Sequence, residues 1–585
     1  MSKIKGTQAI IKCLQEEGVE VIFGYPGGAV IELYDELCKS DIRHILVRHE
    51  QGAVHAADGY ARASGKVGVA LLTSGPGATN GVTAIATAYC DSIPVVVLTG
   101  QVPRALIGND AFQEVDIVGI TRPCTKHNYL VSDPEELIPI LREAFYLAAS
   151  GRPGPVLVDL PKDVMAAMIN FPAKAPIRMQ TYQPNVTPHP NQVEKACRAC
   201  LKAKRPVFYV GGGVILSGAN EELTRLAKRL HVPVTMTLMG LGGFPGSEPL
   251  SLGMLGMHGS YAANMSVAKS DLLVAVGARF DDRVTGRLDA FAPQAKVIHI
   301  DIDPSSISKN VKVDIPIVAD CKLALAAMNS WLDNSAEFKA EEVKAQHQPW
   351  VDQVLEWDEK HPLSYMDAGE VIKPQYVIEK LQELTGGEAI ITTEVGQNQM
   401  WAAQFYKFCK PRRLLTSGGL GTMGFGLPAA IGAALACPGR RVVCFSGDGS
   451  LQMNIQELAT AVEQQLDLTI VLLNNQSLGL VRQQQRLFFG GRCFASEFPL
   501  AVDFAAIARG FGLRAHDLRG AEHTADDVLV RALREPGPCL VNVPVAIEEE
   551  VAPMVPPGAA NTVMIGGEEN GRAGAPREQP VAAVC

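Results

Sequence analysis

Residues 446–475 constrain this chain more than any other stretch. An apolar run, Arg441-Val-Val-Cys-Phe445, leads into Ser446-Gly-Asp-Gly-Ser450. A stretch of helical character follows over 451–465, and a second apolar run, Leu468-Thr-Ile-Val-Leu-Leu473, ends on Asn474-Asn475. Apolar runs bounded by polar turns read as buried strands, and an intervening helix makes them parallel. Asp448 and Asn475 then lie at the carboxyl ends of two strands, where open α/β sheets bind ligands. Magnesium takes oxygen ligands in a near-octahedral shell and shares them with phosphate. The Asp448 carboxylate, the Asn475 side-chain carbonyl and the main-chain carbonyl of Ser477 supply three. Gly447 and Gly449 let N–H groups approach a diphosphate just ahead of a helix N-terminus.

Gly-Asp-Gly alone is an ordinary turn. Followed by paired asparagines, with Asn475 27 residues after Asp448, it resembles the fingerprint of thiamine-diphosphate (ThDP) enzymes. That cofactor gives a carboxylate elsewhere a task. Its reactive carbon loses a proton to a neighbouring imino group, whose tautomer requires a proton donor at ring nitrogen N1′. A carboxyl group in a desolvated pocket can be that donor. Glu50 is the candidate, in His49-Glu-Gln-Gly52 between a short strand at 45–48 and an alanine-rich helix over 53–63. The plainer use of a glutamate there is as a helix-cap acid.

The 585 residues allow about three to five domains. A net charge of −9 without a long basic run argues against a nucleic-acid partner. Thirteen cysteines, an odd number scattered through apolar segments, fit a reduced, cytoplasmic setting. Cys197 and Cys200 form a single CxxC without a second pair at zinc spacing and are read as structural. No apolar run reaches membrane length, and Met1-Ser-Lys-Ile-Lys leads straight into an amphipathic helix rather than a signal peptide.

Lys66-Val-Gly-Val-Ala-Leu-Leu-Thr-Ser-Gly-Pro-Gly echoes the 441–454 stretch, with Pro76 where the later copy has Asp448. Two similar sheets are therefore expected, of which the first cannot hold the metal in the same way. A proline-rich connector (Pro172, Pro176, Pro184, Pro188, Pro190) separates the first of them from a middle unit. There, Pro206-Val-Phe-Tyr-Val runs into Gly211-Gly-Gly213, and further strands are expected at 232–238, 271–277 and 296–301. Asp301 and Asp303 end a strand, either as ribose-binding acids or as solvated ones. Arg279-Phe-Asp-Asp-Arg283 reads as a local ion-pair cluster, or as two arginines facing a cofactor and a substrate carboxylate. The expected division is 1–185, 190–345, 370–550 and a tail, 551–585, disordered from 566. In the glycine-dense Leu415–Gly426, Met423 is either a core gap-filler or an apolar support beneath the cofactor.

Gly24-Tyr-Pro-Gly-Gly28, Arg279–Val284 and Ser417-Gly-Gly-Leu-Gly-Thr-Met-Gly424 together resemble the catalytic large subunit of acetohydroxyacid synthase (acetolactate synthase), over nearly the whole chain. The resemblance implies an α/β protein of three doubly wound parallel-sheet domains: pyrimidine-binding, central FAD-binding and diphosphate-binding. It implies ThDP held by Glu50, Gln397, Gly421, Met423, Gly447, Gly449 and Ser450, and Mg2+ held by Asp448, Asn475 and Ser477. A structural FAD would be held by Arg152, Gly211, Gly212, Gly213, Thr237, Leu238, Met239, His258, Arg279, Asp301 and Asp320. The implied reaction decarboxylates pyruvate and transfers its hydroxyethyl unit to a second 2-keto acid, pyruvate or 2-ketobutyrate. Arg283 would hold that acid's carboxylate, Phe112 and Met453 would shape its pocket, and the Gly28 N–H would steady the developing alkoxide. Gln113 and Lys162 match further active-site positions. The family places the site between subunits of a homodimer or homotetramer and implies a small regulatory subunit.

One departure stands out. Most members carry tryptophan where this chain has Gln484. The indole selects 2-ketobutyrate through its extra methyl group, and one methylene is worth only ~1–3 kcal/mol. Glutamine resembles the low-selectivity bacterial isozyme I and implies weak preference for 2-ketobutyrate. The rival readings are a pyruvate oxidase, another flavin-containing ThDP carboligase, or an inactive regulatory paralogue.

Overall fold

Valine, isoleucine and leucine dominate the strands, and most strand residues are buried on both faces, as parallel sheets covered by helices require. The computed structural model describes residues 3–365, 372–519 and 524–566. It contains three six-stranded sheets and a two-stranded antiparallel pair, Ile4–Lys5 with Met168–Ile169.

The first sheet runs, edge to edge, 43–46, 21–25, 68–72, 95–101, 156–161, 127–130. The third runs 414–415, 390–393, 442–447, 468–474, 539–544, 514–517. Both are wholly parallel and share one strand order. The echo between 66–80 and 441–454 is therefore structural: strands Gly68–Leu72 and Val442–Gly447 hold the same place in their sheets. The middle sheet runs 251–254, 234–236, 206–210, 272–276, 296–301, 315–318, also parallel. In its own chain order this is 3-2-1-4-5-6, the dinucleotide-binding order, with its switch point between Pro206–Val210 and Leu272–Val276.

One core runs unbroken from the middle sheet (Phe208, Val210, Val274) into the third (Val443, Phe445, Val471), with buried Trp401 between. First and third sheets meet through the helices Glu50–Ser64 and Gly426–Ala436. Glycine and alanine at the crossing let the backbones touch: a methyl on Gly59 would stand 2.2 Å from the Ala429 carbonyl oxygen. This contact explains why both helices are so rich in alanine.

Two local expectations change. The helix expected over 53–63 begins at Glu50 itself, three residues early, because the His49 ring accepts the Gln51 N–H and caps it. The 451–465 helix is broken into Asp448–Leu451 and Glu457–Glu463. Between them the chain turns so that Asn454 donates to the Gly424 carbonyl at 2.7 Å. The tail residues 551–566 form a strap without helix or strand. Val555 donates to Met257 O at 2.7 Å and Asn561 to Val284 O at 2.7 Å. Of the expected disordered segment, 567–585 lies outside the described residues. The described cysteines are free thiols, and Cys197 and Cys200 are both buried. Among the described residues no helix is long and apolar enough to cross a membrane.

Candidate active site

Asp448 and Asn475 leave adjacent parallel strands, paired from Val442↔Leu468 to Gly447↔Leu473. Both are buried. Burial pushes the Asp448 carboxyl up to about 6 against the main-chain N–H groups of Asp448, Gly449, Gln476 and Ser477 that favour its anion. Asn475 donates to Gln397 Oε1 at 3.0 Å and accepts from Ser477 N at 3.2 Å. The Ser477 hydroxyl is buried without a partner. Ser450 donates to Val395 O at 2.9 Å. Gln397 therefore joins the strand-end set. A methyl on Gly447 would meet only the Asn398 side chain, at 3.4 Å, so its backbone faces open space. Among the described residues no cluster of three His, Cys, Asp or Glu could hold a metal. A cation here has one carboxylate, an amide and a main-chain oxygen, and needs phosphate oxygens to complete its shell. The donor chemistry thus fits a metal diphosphate rather than a free metal.

Gly421 and Met423 lie on the loop ahead of helix Gly426–Ala436. Gly421 has φ +71°, and a methyl there would meet only Val395, at 4.0 Å. The loop has two supports that sequence reasoning missed. Glu394, fully buried, accepts from Gly424 N at 2.8 Å and Leu427 N at 3.1 Å. Asp91 accepts from Gly418 N at 3.1 Å and Gly419 N at 2.7 Å, and is paired with Arg62 at 2.9 Å. Arg62 also binds Asp58 and donates to Thr416 O at 2.9 Å. The signal was a charged Asp58…Arg62 pair inside an alanine-rich, otherwise buried helix, since buried charges need partners.

A cavity of about 870 Å3 opens at the switch point of the middle sheet. Every residue assigned to the flavin lines it: Arg152, Gly211–Gly213, Thr237, Leu238, Met239, His258, Arg279, Asp301 and Asp320. A methyl on Gly211 would lie 2.1 Å from Gly277 O, and Gly213 meets Gly277 Cα at 2.6 Å by the same measure. Only glycines allow these turns to close. Burial holds the His258 imidazole neutral, down to about 4, and leaves its Nδ1 without a partner. Arg283, Gln484 and Gly421 line the same cavity. The Arg279–Asp281 and Arg283–Asp282 contacts are loose, 3.9 and 3.7 Å, so both guanidinium groups have capacity to spare. Asp303 instead pairs with Arg152 at 3.1 Å.

Apart from Met453, the remaining residues follow the carboxyl ends of strands of the first sheet. Glu50 is buried and accepts from Asn80 Nδ2 at 3.0 Å, an orienting contact the sequence reading did not assign. Gly28 follows strand Val21–Tyr25 and is exposed, with open space where a side chain would stand. Lys162 follows strand Val156–Pro161 as the first residue of a short helix. Gln113 has φ +58°, and Phe112 is 87% exposed. Met453, in the turn between helices Asp448–Leu451 and Glu457–Glu463, is 53% exposed.

Two doubly wound sheets of one topology, with a dinucleotide-type sheet between them in the chain, form the domain set of a thiamine pyrophosphate enzyme. The matching family models agree: the N-terminal TPP binding domain over 4–120, the central domain over 193–328 and the C-terminal TPP binding domain over 394–543. The chain is 51% identical over 516 residues to the acetolactate synthase isozyme 3 large subunit of Escherichia coli, covering 88% of this chain and 89% of that one. It is 49% identical to a probable acetolactate synthase large subunit of Methanocaldococcus jannaschii (96% and 95% covered) and 49% identical to the chloroplastic acetolactate synthase 1 of Nicotiana tabacum (95% and 84%). The chain belongs to the acetolactate synthase large-subunit family.

Proposed function

We propose that this chain catalyses acetolactate synthesis, joining two pyruvates to 2-acetolactate with loss of carbon dioxide, or pyruvate and 2-ketobutyrate to 2-aceto-2-hydroxybutyrate. This is the first common step towards valine, leucine and isoleucine. The observation that carries this reading is the strand-end pair Asp448 and Asn475, in a chain of this family.

ThDP, when bound, supplies the electron sink for decarboxylation. Asp448, Asn475 and the Ser477 carbonyl would hold Mg2+ on its diphosphate, with Gly447, Gly449, Ser450 and Gln397 around it. Met423 and Gly421 would support the rings. Glu50, oriented by Asn80, would hold the proton at N1′. Arg283 would hold the acceptor's carboxylate, beside Gln484, Phe112 and Met453. Gly28 N–H, Gln113 and Lys162 would face the same acid. FAD would fill the middle cavity. Glycines at its switch point, a large volume and Arg152 and Arg279 at its wall support a nucleotide there. Exposed Phe112 and Met453 support a site closed between two copies of the chain, since exposed apolar side chains at a functional edge mark a covered surface. A homodimer or homotetramer, and a small regulatory partner, complete the proposal, as does the division at 1–185, 190–345, 370–550 and 551–585.

The test is an acetolactate assay on the purified chain, omitting ThDP, Mg2+ and FAD in turn. Acetolactate is expected only with ThDP and Mg2+, without net flavin reduction. Pyruvate oxidation with peroxide release, or no turnover with all three supplied, would sink the reading.

A further inference from the structure

We infer that Gln101 is the positioning residue for the loop that presents Phe112 and Gln113, and that Asp159 orients it. The inference rests on the proposed role of those two residues beside the substrate.

Gln101 ends the strand Val95–Gln101 and is buried. Its one amide group ties both ends of the loop 102–115. Oε1 accepts the Val102 N–H at 2.9 Å, and Nε2 donates to the Val115 carbonyl at 2.9 Å. Nε2 also donates to Asp159 Oδ2 at 3.0 Å. Asp159 lies on the neighbouring strand, opposite Thr99, whose hydroxyl donates to its Oδ1 at 2.7 Å. Both carboxylate oxygens are engaged, so the amide cannot flip without placing its oxygen against Asp159.

The loop above this tie is braced further. Arg104 pairs with Asp163 at 2.7 Å, and Glu114 accepts from Ala111 N at 3.0 Å and from Gly108 N. Gln113 is held in the left-handed region, and a methyl on Gly75 would lie 2.7 Å from its carbonyl oxygen. A non-glycine residue stays in that region only where its surroundings fix it. The loop closes on itself through one side chain and carries at its tip an aromatic ring exposed to solvent. A tie of this kind lowers the cost of ordering the loop when substrate arrives.

Gln101→Glu keeps the shape and replaces the donor by an acceptor facing Val115 O and Asp159. With the holoenzyme, KM for pyruvate should rise roughly ten-fold or more, since both hydrogen bonds donated by Nε2 are lost. The kcat and the affinity for ThDP in Mg2+ should hold within a few-fold, and amides 105–114 should exchange hydrogen faster. Adding Asp159→Asn returns a donor to the new carboxylate and should recover part of KM. Asp159→Asn alone should move KM in the same direction by less, which serves if the first variant fails to fold. Unchanged KM and exchange in an active enzyme would overturn the inference. So would a rise in KM matched by equal losses of ThDP affinity and melting temperature, the mark of a purely structural role. If the wild-type chain makes no acetolactate, the functional reading fails instead, and loop exchange alone decides whether Gln101 holds the loop.

Discussion

Gly432 and Ala56 meet where the first and third sheets of the chain join: a methyl on Gly432 would stand 1.9 Å from the Ala56 carbonyl oxygen. The helix of Ala56 begins at Glu50, and the helix of Gly432 begins just after the Met423 loop. Their spacing therefore sets the relative placement of two candidate site elements. Gly432→Ala should push the helices apart and destabilise the chain by about 1–3 kcal/mol or more, as overpacking does. A lowered melting temperature with weakened ThDP binding checks it.

Part of this was legible beforehand. Apolar runs with polar ends located the strands, and the echo of 66–80 in 441–454 foretold two sheets of one topology. The Gly211-Gly-Gly213 turn at a strand end was also legible, and it lies at the switch point of the middle sheet, where close backbone approach demands glycine. The supports were not legible. Asn80, Glu394, Asp91 and Gln101 act on segments far away in sequence or by closing a loop, and no local periodicity reports such partners. The 451–465 break was missed for the same reason: the Asn454 contact with Gly424 is tertiary.

Asp448→Asn should remove the one carboxylate of the strand-end set while leaving the middle cavity intact. Mg2+-dependent ThDP binding should fall by at least about ten-fold, the worth of one charge-assisted contact. Flavin binding, read by its fluorescence, should be unchanged. Equal loss of both cofactors would mean that the variant unfolds the region instead.

Gln484 lines the cavity beside Arg283 and Leu480, on the helix Gly479–Phe488. Gln484→Trp places an apolar ring where the acceptor's side chain is proposed to lie. One methyl group against that ring is worth ~1–3 kcal/mol, so preference for 2-ketobutyrate over pyruvate should rise about ten-fold or more in competition assays. A wild-type enzyme already strongly biased to 2-ketobutyrate would refute the role given to this position.

Glu394 offers a pH test. Burial pushes its carboxyl up to about 7 from 4.5, although the N–H groups of Gly424 to Leu427 favour the anion. Between those two values the folded chain holds a proton that the unfolded chain has released, so stability falls as pH rises through the window. Above it the whole difference is lost, on the order of 3 kcal/mol. Glu394→Gln cannot ionise. Its melting temperature should therefore gain on that of the wild type between about pH 5 and about pH 8. The variant should start lower, because its amide leaves one of the two main-chain N–H groups without an acceptor. A constant gap across the window would show that the backbone donors keep Glu394 ionised throughout, and that its charge, not its proton, holds the Met423 loop.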